Sequence, residues 1–254
     1  MARLQRAESG LREGFQAALK PLFESWGDAA SEAAATVLRN RGEKETADRP
    51  TVALLEAGTK ADDDIIRQII ELLNMEAWEL QLSSRYQAQY LAVARDVAAG
   101  LEESGFGTGL PDEVMREILR AGGTRAGLID VDAKTRQAIF VALAEGRAQG
   151  EGVTALTNRI ANAVEGGGWG NAETRARVIA RTETKHAQNI STIQNGRANG
   201  VREFVVFDGR FGEPRSELSH IARDGKIVSA EDAQIMAENM RPNCTLSFAP
   251  HFSF

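Results

Sequence analysis

Apolar residues in the first 110 positions recur at the three- and four-residue spacings of amphipathic helices. A rough helical stripe covers 3–40, and Pro21 predicts two helices there, because proline fits the first turn of a helix better than its interior. A stronger, coiled-coil-like pattern covers 60–103. The polar pair Ser83-Ser84 offsets this pattern, so 60–103 is either one long helix or two packed helices. The apolar seam consists of Ile66, Ile70, Leu73, Ala77 and Leu80, followed by Tyr86, Tyr90, Val93 and Val97.

The second half of the chain adds short β-branched runs to the helical pattern. Glycine and proline between 105 and 111 mark a boundary, so we predict a helical N-terminal region over 1–110 and an α+β domain over 111–254. The helices predicted in this domain cover 111–119, 132–146, 151–165, 171–199 and 230–239. The strands predicted there cover 202–207, 227–228 and 246–248. The predicted fold class is mainly α, with a small α+β C-terminal module in which a helical layer packs on a short sheet.

Composition and charge exclude several classes of protein. Hydrophobic residues make up 43% of the chain and charged residues 26%, which is typical of a soluble globular protein. No apolar run reaches the roughly 18–20 residues of a membrane helix, and the charged N-terminus predicts no secretory signal. Cys244 is the single cysteine, so no internal disulfide forms. Because the net charge is −6, any contact with DNA has to use a local basic face.

Short motifs follow one another in a fixed order between about 127 and 250. The most specific is the run RARVIARTET at 175–184, with Ala187 and Asn189 after it. Asp132–Arg136, Glu145-Gly146 and Gly150 come before this run. The motifs that come after it are Gly200-Val201, Asp208-Gly209-Arg210, His220, Asp224-Gly225 and Arg241-Pro242-Asn243-Cys244. In this order the motifs resemble the head morphogenesis domain of tailed bacteriophages, the Mu F-like minor head proteins.

The resemblance covers about half of the chain and implies structural roles for a set of motif residues. These residues are Arg181, Thr182, Glu183, Asp208, Arg210, His220, Gly225, Asn243 and Cys244. Two features depart from the family pattern. Thr245 and Leu246 follow Cys244 in place of a Cys-Arg-Cys-like ending, and no cysteine pair follows the Asp-x-Arg element. We therefore expect no zinc site of the kind found in cysteine-rich members.

The resemblance implies a non-enzymatic minor head protein that associates with the portal during head assembly. We expect the portal and other head proteins as partners, several copies around the portal vertex, no membrane and no cofactor. The expected location is the virion, and the host cytoplasm during assembly. DNA packaged in the head is a further candidate partner of this protein. Two alternatives stay open: a metal- or acid/base-dependent enzyme centred on Asp208, Arg210 and His220, and a DNA-organising protein delivered with the genome.

The predicted helix 171–199 carries a basic stripe. Arg177, Arg181 and Lys185 step by four and share one helix face, with Arg175 also on this helix. These four residues are candidates for contact with DNA phosphates or with an acidic portal surface, and the alternative is a solvated helix face. For Arg181 we favour a structural role, in which a buried guanidinium ties the helix to neighbouring carbonyls or to Asp208.

The remaining candidates for chemistry are Asp208, Arg210, His220, Cys244 and His251. Zinc accepts aspartate, histidine and cysteine ligands, but strong zinc sites have paired ligands at short spacing, and none is present, so we predict no metal. A cysteine nucleophile would need a histidine within hydrogen-bond reach and a third group to orient it. Since the sequence does not supply that evidence, we predict no catalytic residue. The viral assignment depends on Phe204, Val206 and Ile179 lying in one apolar core.

Overall fold

Helices dominate the computed structural model, which describes residues 2–42, 58–105, 111–121, 131–208, 218–242 and 244–252. In this part of the chain a three-stranded antiparallel sheet lies near the C-terminus, so the predicted fold class is confirmed. The helices are α1 (Ala2–Asn40), α2 (Gly58–Leu73), α3 (Met75–Glu103), α4 (Asp112–Ala121), α5 (Val131–Ala148), α6 (Val153–Gly166), α7 (Ala172–Ala198), α8 (Leu218–Ile221) and α9 (Ala230–Glu238). The strands are β1 (Glu203–Asp208), β2 (Ile227–Ser229) and β3 (Leu246–His251).

The first helix continues through Pro21, so the prediction of two helices over 3–40 is wrong. A proline inside a helix costs about 3 kcal/mol, because it removes one backbone hydrogen bond and crowds the preceding turn. Burial on both sides of Pro21 outweighs this cost. Leu19, Leu22, Phe23 and Trp26 are at most 4% exposed. Each such side chain contributes about 1.5–3 kcal/mol.

Asn74 separates α2 from α3, so the seam over 60–103 is two helices. Its φ angle is 49°, in the left-handed region that ends a helix and that asparagine tolerates better than most residues. The buried side of α2 contains Ile66, Ile70 and Leu73, as the seam predicts. Leu80 on α3 is 72% exposed and does not continue that side.

Contacts group the chain into two compact units, which are described separately. The sheet unit contains the described residues within 1–15, 83–125 and 178–254, and the helical unit contains those within 16–82 and 126–177. Each unit takes residues from both sides of residue 110. The grouping therefore differs from the predicted division into 1–110 and 111–254, which stays a prediction.

The helical unit is built around aromatic and branched side chains of α1, α2, α5 and α6. Within it α2 packs on α5, and α5 packs on α6. The rings of Trp26 and Trp78 stack with their centroids 5.8 Å apart. At Gly27, a Cβ atom would lie 2.9 Å from the carbonyl oxygen of Ala161, so glycine allows α1 to approach α6 this closely.

The sheet unit places the strands in the order β2-β1-β3. Phe204, Val206 and Asp208 alternate along the buried face of β1, and Leu246 and Phe248 of β3 are buried beside them. Helix α7 packs on this face, where a Cβ atom at Gly196 would lie 2.7 Å from the Phe204 ring. Ile179 of α7 is also buried. The helix and the sheet therefore share an apolar core around Phe204, and the prediction that Ile179 lies in this same core stays a prediction.

The Asp224-Gly225 motif forms a turn that is hydrogen-bonded to β1. Gly225 has a φ angle of 74°, and its N–H donates to the carbonyl of Val206 at 2.8 Å. The Asp224 carboxylate accepts a hydrogen bond from the N–H of Asp208 at 2.8 Å. The turn thereby fixes the end of β1, where Asp208 lies.

Because Asn74 is in the left-handed conformation, glycine should be more stable than alanine at this position. Inside a helix the order should be the reverse. Asn74→Gly should leave the free energy of unfolding nearly unchanged, whereas Asn74→Ala should lower it by about 1 kcal/mol, since alanine resists positive φ. At the exposed Ser84 in α3, alanine should instead be more stable than glycine by about 1 kcal/mol. Denaturant unfolding of the four variants checks this inversion, and the same order at both positions would contradict the assignment.

Candidate functional site

Helix α7 buries an unusual number of polar side chains. In the described residues of the sheet unit, most buried polar side chains lie on this one helix. They are Thr182, Glu183, Thr184, His186, Asn189, Ser191 and Asn195. Buried polar groups require partners because each unsatisfied group costs about 1–3 kcal/mol. Thr182, Glu183 and Thr184, which belong to the most specific motif, thus lie in the core of the fold.

The hydroxyl group of Tyr90 on α3 joins two of these buried side chains. It lies 2.5 Å from Glu183 Oε2 and 2.7 Å from His186 Nδ1. A hydroxyl has one proton, so when it donates to the carboxylate it has to accept from the Nδ1–H of the imidazole. At the adjacent position of α3, Gln89 donates to Thr184 Oγ1 at 2.8 Å. These contacts fix both the rotation and the register of α7 against α3.

Asn189 connects α7 to the start of β3. Its Nδ2 donates to the carbonyl oxygen of Leu246 at 2.9 Å and lies 3.1 Å from the sulfur of Met240. The motif residue that follows the RTET run therefore positions the strand next to Cys244. Sequence reasoning noted Asn189 only as part of the resemblance.

The buried arginine of α7 is Arg175, so the prediction of a buried guanidinium at Arg181 is wrong. Arg181 is exposed, because Thr182, Glu183 and His186 occupy the inward side of this stretch of α7. Arg175 is 4% exposed, and its Nη1 donates to the carbonyl oxygen of Val164 at 2.8 Å. A cation at the last carbonyls of α6 also compensates the dipole of that helix.

Aromatic rings and a glycine complete the surroundings of Arg175. The guanidinium carbon lies 4.1 Å from the ring centroid of Phe23 and 5.2 Å from that of Trp26, within the range of cation–π attraction. At Gly167, where φ is 50°, a Cβ atom would lie 2.6 Å from the guanidinium. The glycines after α6 therefore make room for this arginine.

One of the four residues of the predicted basic stripe is not on the surface of the structure. Arg175 is buried, so its guanidinium is not presented to a DNA phosphate or to a portal surface. Arg177 and Arg181 are exposed, and Lys185 is half-buried. The contacts predicted for these three residues stay predictions.

Asp208, His220 and Cys244 come together at one end of the sheet. Asp208 ends β1 and is 1% exposed, and its Oδ1 accepts a hydrogen bond from Thr245 Oγ1 at 3.2 Å. His220 of α8 is buried, with its Nδ1 at 4.0 Å from the same carboxylate oxygen. On the other side of the ring, Nε2 lies 3.6 Å from Cys244 Sγ. Three candidates from separate parts of the sequence thus form a cysteine–histidine–aspartate series.

His251 does not belong to this cluster. It pairs with Glu203 at one end of the β1–β3 ladder, while Asp208 pairs with Leu246 at the other. The two ends are roughly 17 Å apart along the strands. An extended strand therefore separates His251 from Cys244, which removes it as a zinc partner or base for that cysteine. Arg210 and Asn243 lie outside the described residues.

A groove of about 1090 Å³ lies in the helical unit, between α5, α6 and the glycine turn that follows α6. Its walls include Arg159, whose Nε donates to Glu151 Oε2 at 2.9 Å and whose Nη1 lies 3.3 Å from Glu145 Oε2. This hydrogen bond from Arg159 lowers the pKa of Glu151. The groove is not lined by Asp208 or His220, around which the enzyme alternative places its pocket.

Sequence reasoning missed His186 and gave Tyr90 only as an apolar seam residue. The available signal was the spacing of Glu183, His186 and Ile190, which places two ionisable side chains on the helix face that also carries buried isoleucine. Polar residues on such a face indicate a buried network. Arg159 gave no signal beyond its charge.

The contrast between two arginines on α7 yields a direct prediction. Arg175→Ala should lower the free energy of unfolding by about 3 kcal/mol, because it removes charged hydrogen bonds and aromatic contacts. Arg177→Ala, two positions away and exposed, should change it by less than about 0.5 kcal/mol. Chemical denaturation followed by circular dichroism measures both variants, and equal effects would refute the structural role of Arg175.

Within the described residues, no group of three or more histidine, cysteine, aspartate or glutamate side chains is placed to hold a metal ion. None of the described helices is both long and apolar enough to cross a membrane. Comparison of the chain with protein-family models, curated proteins and solved structures gives no match.

Proposed function

We propose that the chain is a minor head protein of a tailed bacteriophage that docks on the portal during head assembly. The observation that carries this proposal is the ordered motif set that resembles the Mu F-like head morphogenesis domain. Each of its described members from Arg181 onward belongs to the sheet unit. The motif members before residue 178 belong to the helical unit, so the sheet unit carries the later part of the set.

The burial of the motif supports a structural module. Thr182 and Glu183 are at most 2% exposed, and Asn189 holds the start of β3 through a backbone carbonyl. Side chains that point into a core fix a fold, whereas side chains that bind a substrate have to reach a surface or a pocket. We therefore assign Thr182, Glu183 and Asn189 to stability of the docking module.

The outer face of the sheet is the surface that we assign to docking. On β1 and β2, Phe207 is 39% exposed and Ile227 is 50% exposed. Strand alternation and the pairing of Val205 with Ile227 place these side chains on the face opposite Phe204. An apolar face of this kind suits a protein partner, and the proposed partner is the portal.

Co-assembly tests this proposal. The chain is expressed with the capsid and portal proteins of the virus that encodes it, and incorporation into purified procapsids and retention on tagged portal are measured. Ile227→Glu should reduce both about tenfold or more, because it places a charge in the apolar contact. The neighbouring Lys226→Glu, also exposed, serves as the matched control and should retain incorporation within about twofold.

Two outcomes would contradict the proposal at different levels. A folded wild-type chain that is absent from particles and is not retained on the portal would reject the function itself. Normal incorporation of Ile227→Glu would reject the sheet face as the docking surface and leave the function standing. Circular dichroism of each variant ensures that a loss of incorporation is not a loss of folding.

A further inference from the structure

The thiol of Cys244 is placed for chemistry that a docking module does not use. Cys244 is half-buried in the turn before β3, so the sulfur is shielded but not sealed from solvent. Its Sγ lies 3.6 Å from His220 Nε2, which is hydrogen-bond distance for sulfur. A thiol becomes a strong nucleophile when a neighbouring base takes its proton.

The carboxylate of Asp208 lies on the opposite side of that base. It is 1% exposed and lies on the Nδ1 side of the His220 ring, at 4.0 Å. A carboxylate on this side favours the tautomer with the proton on Nδ1, which leaves Nε2 as the acceptor that faces the thiol. The same carboxylate stabilises the imidazolium that forms when the proton moves.

We propose that Cys244 is a nucleophilic thiol, activated by His220 and Asp208, that is modified by small disulfides. The thiol proton moves to His220 Nε2, and the thiolate attacks one sulfur of the disulfide. A new S–S bond forms at Cys244 while the original S–S bond breaks. The leaving thiolate takes the proton from His220, so the products are a mixed disulfide on the protein and one free small thiol.

The surroundings of the sulfur favour disulfide exchange over acyl transfer. Acyl transfer needs N–H donors that stabilise a developing oxyanion. The backbone N–H of Cys244 already donates to the carbonyl of Arg241 at 3.1 Å. Disulfide exchange keeps the developing charge on sulfur and needs no such donor.

The number of cysteines determines how the mixed disulfide at Cys244 can be removed. Cys244 is the only cysteine in the chain, so no second thiol can resolve the mixed disulfide within the molecule. The modification therefore persists until an external thiol reduces it. The half-buried position of the sulfur favours small disulfides over a disulfide on another protein.

Alkylation rates at two pH values separate activation of the thiol from its accessibility. An ordinary thiol reacts with iodoacetamide at about pH 7 at roughly one-thirtieth of its rate at about pH 9.5, because only the thiolate reacts. The wild-type protein should keep at least about one-third of its high-pH rate at neutral pH. In His220→Gln the ratio should fall to the ordinary value while the rate at high pH stays similar.

Controls and further outcomes complete the test. His251→Gln changes a histidine at the far end of β3 and should behave as wild type, whereas Cys244→Ser should not react. Incubation with oxidised glutathione should add one glutathionyl group, detected by mass spectrometry and removed by dithiothreitol. Since the pH ratio is read on the wild type, the test holds even where His220→Gln fails to fold.

Three results would overturn the proposal. The first is a wild-type ratio equal to that of an ordinary thiol, and the second is an unchanged ratio in folded His220→Gln. The third is faster alkylation after treatment with a chelator together with suppression by stoichiometric zinc, which would make the cysteine–histidine pair a metal site. A disulfide-linked dimer of the chain in place of the glutathione adduct would reject the assignment to small disulfides.

Discussion

The sheet unit depends on one buried hydroxyl group. Tyr90 Oη lies between Glu183 and His186, and all three side chains are at most 2% exposed. A carboxylate and an imidazole in a protein core are strongly unfavourable unless they are hydrogen-bonded. Because Glu183 Oε2 and His186 Nδ1 reach the hydroxyl only when α3 and α7 lie at one rotation and register, the pairing favours one arrangement of the helices over the others that apolar contact alone would allow.

That arrangement determines what each surface of the unit can do. Thr182 and Glu183 of α7 face inward, Asn189 holds the beginning of β3, and β1 lies against α7 through Phe204. The outer face of the sheet is left to meet a partner. At the end of β1, the buried carboxylate of Asp208 lies beside His220 and Cys244. Asp208 can therefore both end the buried face of β1 and act on the His220–Cys244 pair.

Local signals in the sequence predicted local structure well. The helix predicted over 171–199 is present as α7, and the Oδ1 of Asn171 at its start accepts a hydrogen bond from the N–H of Thr174 at 2.8 Å. Short β-branched and aromatic runs predicted the three strands. The failures share one cause, which is that tertiary contact decided the outcome. Pro21 stays inside a helix because its neighbours are buried, and the roles of Arg175 and Arg181 depend on which side of α7 meets aromatic rings. The meeting of Cys244 with His220 depends on the fold of the whole unit and has no signature in spacing.

A double-mutant cycle on Tyr90→Phe and Glu183→Gln measures how strongly the hydroxyl couples α3 to α7. Unfolding free energies of the wild type, both single variants and the double variant give the coupling between the two side chains. We expect a coupling of about 1.5–3 kcal/mol, as for a buried hydrogen bond to a charged group. A parallel cycle of Tyr90→Phe with Lys185→Gln should be additive within about 0.5 kcal/mol. Additive effects of Tyr90 and Glu183 would show that the hydroxyl does not hold the two helices in register.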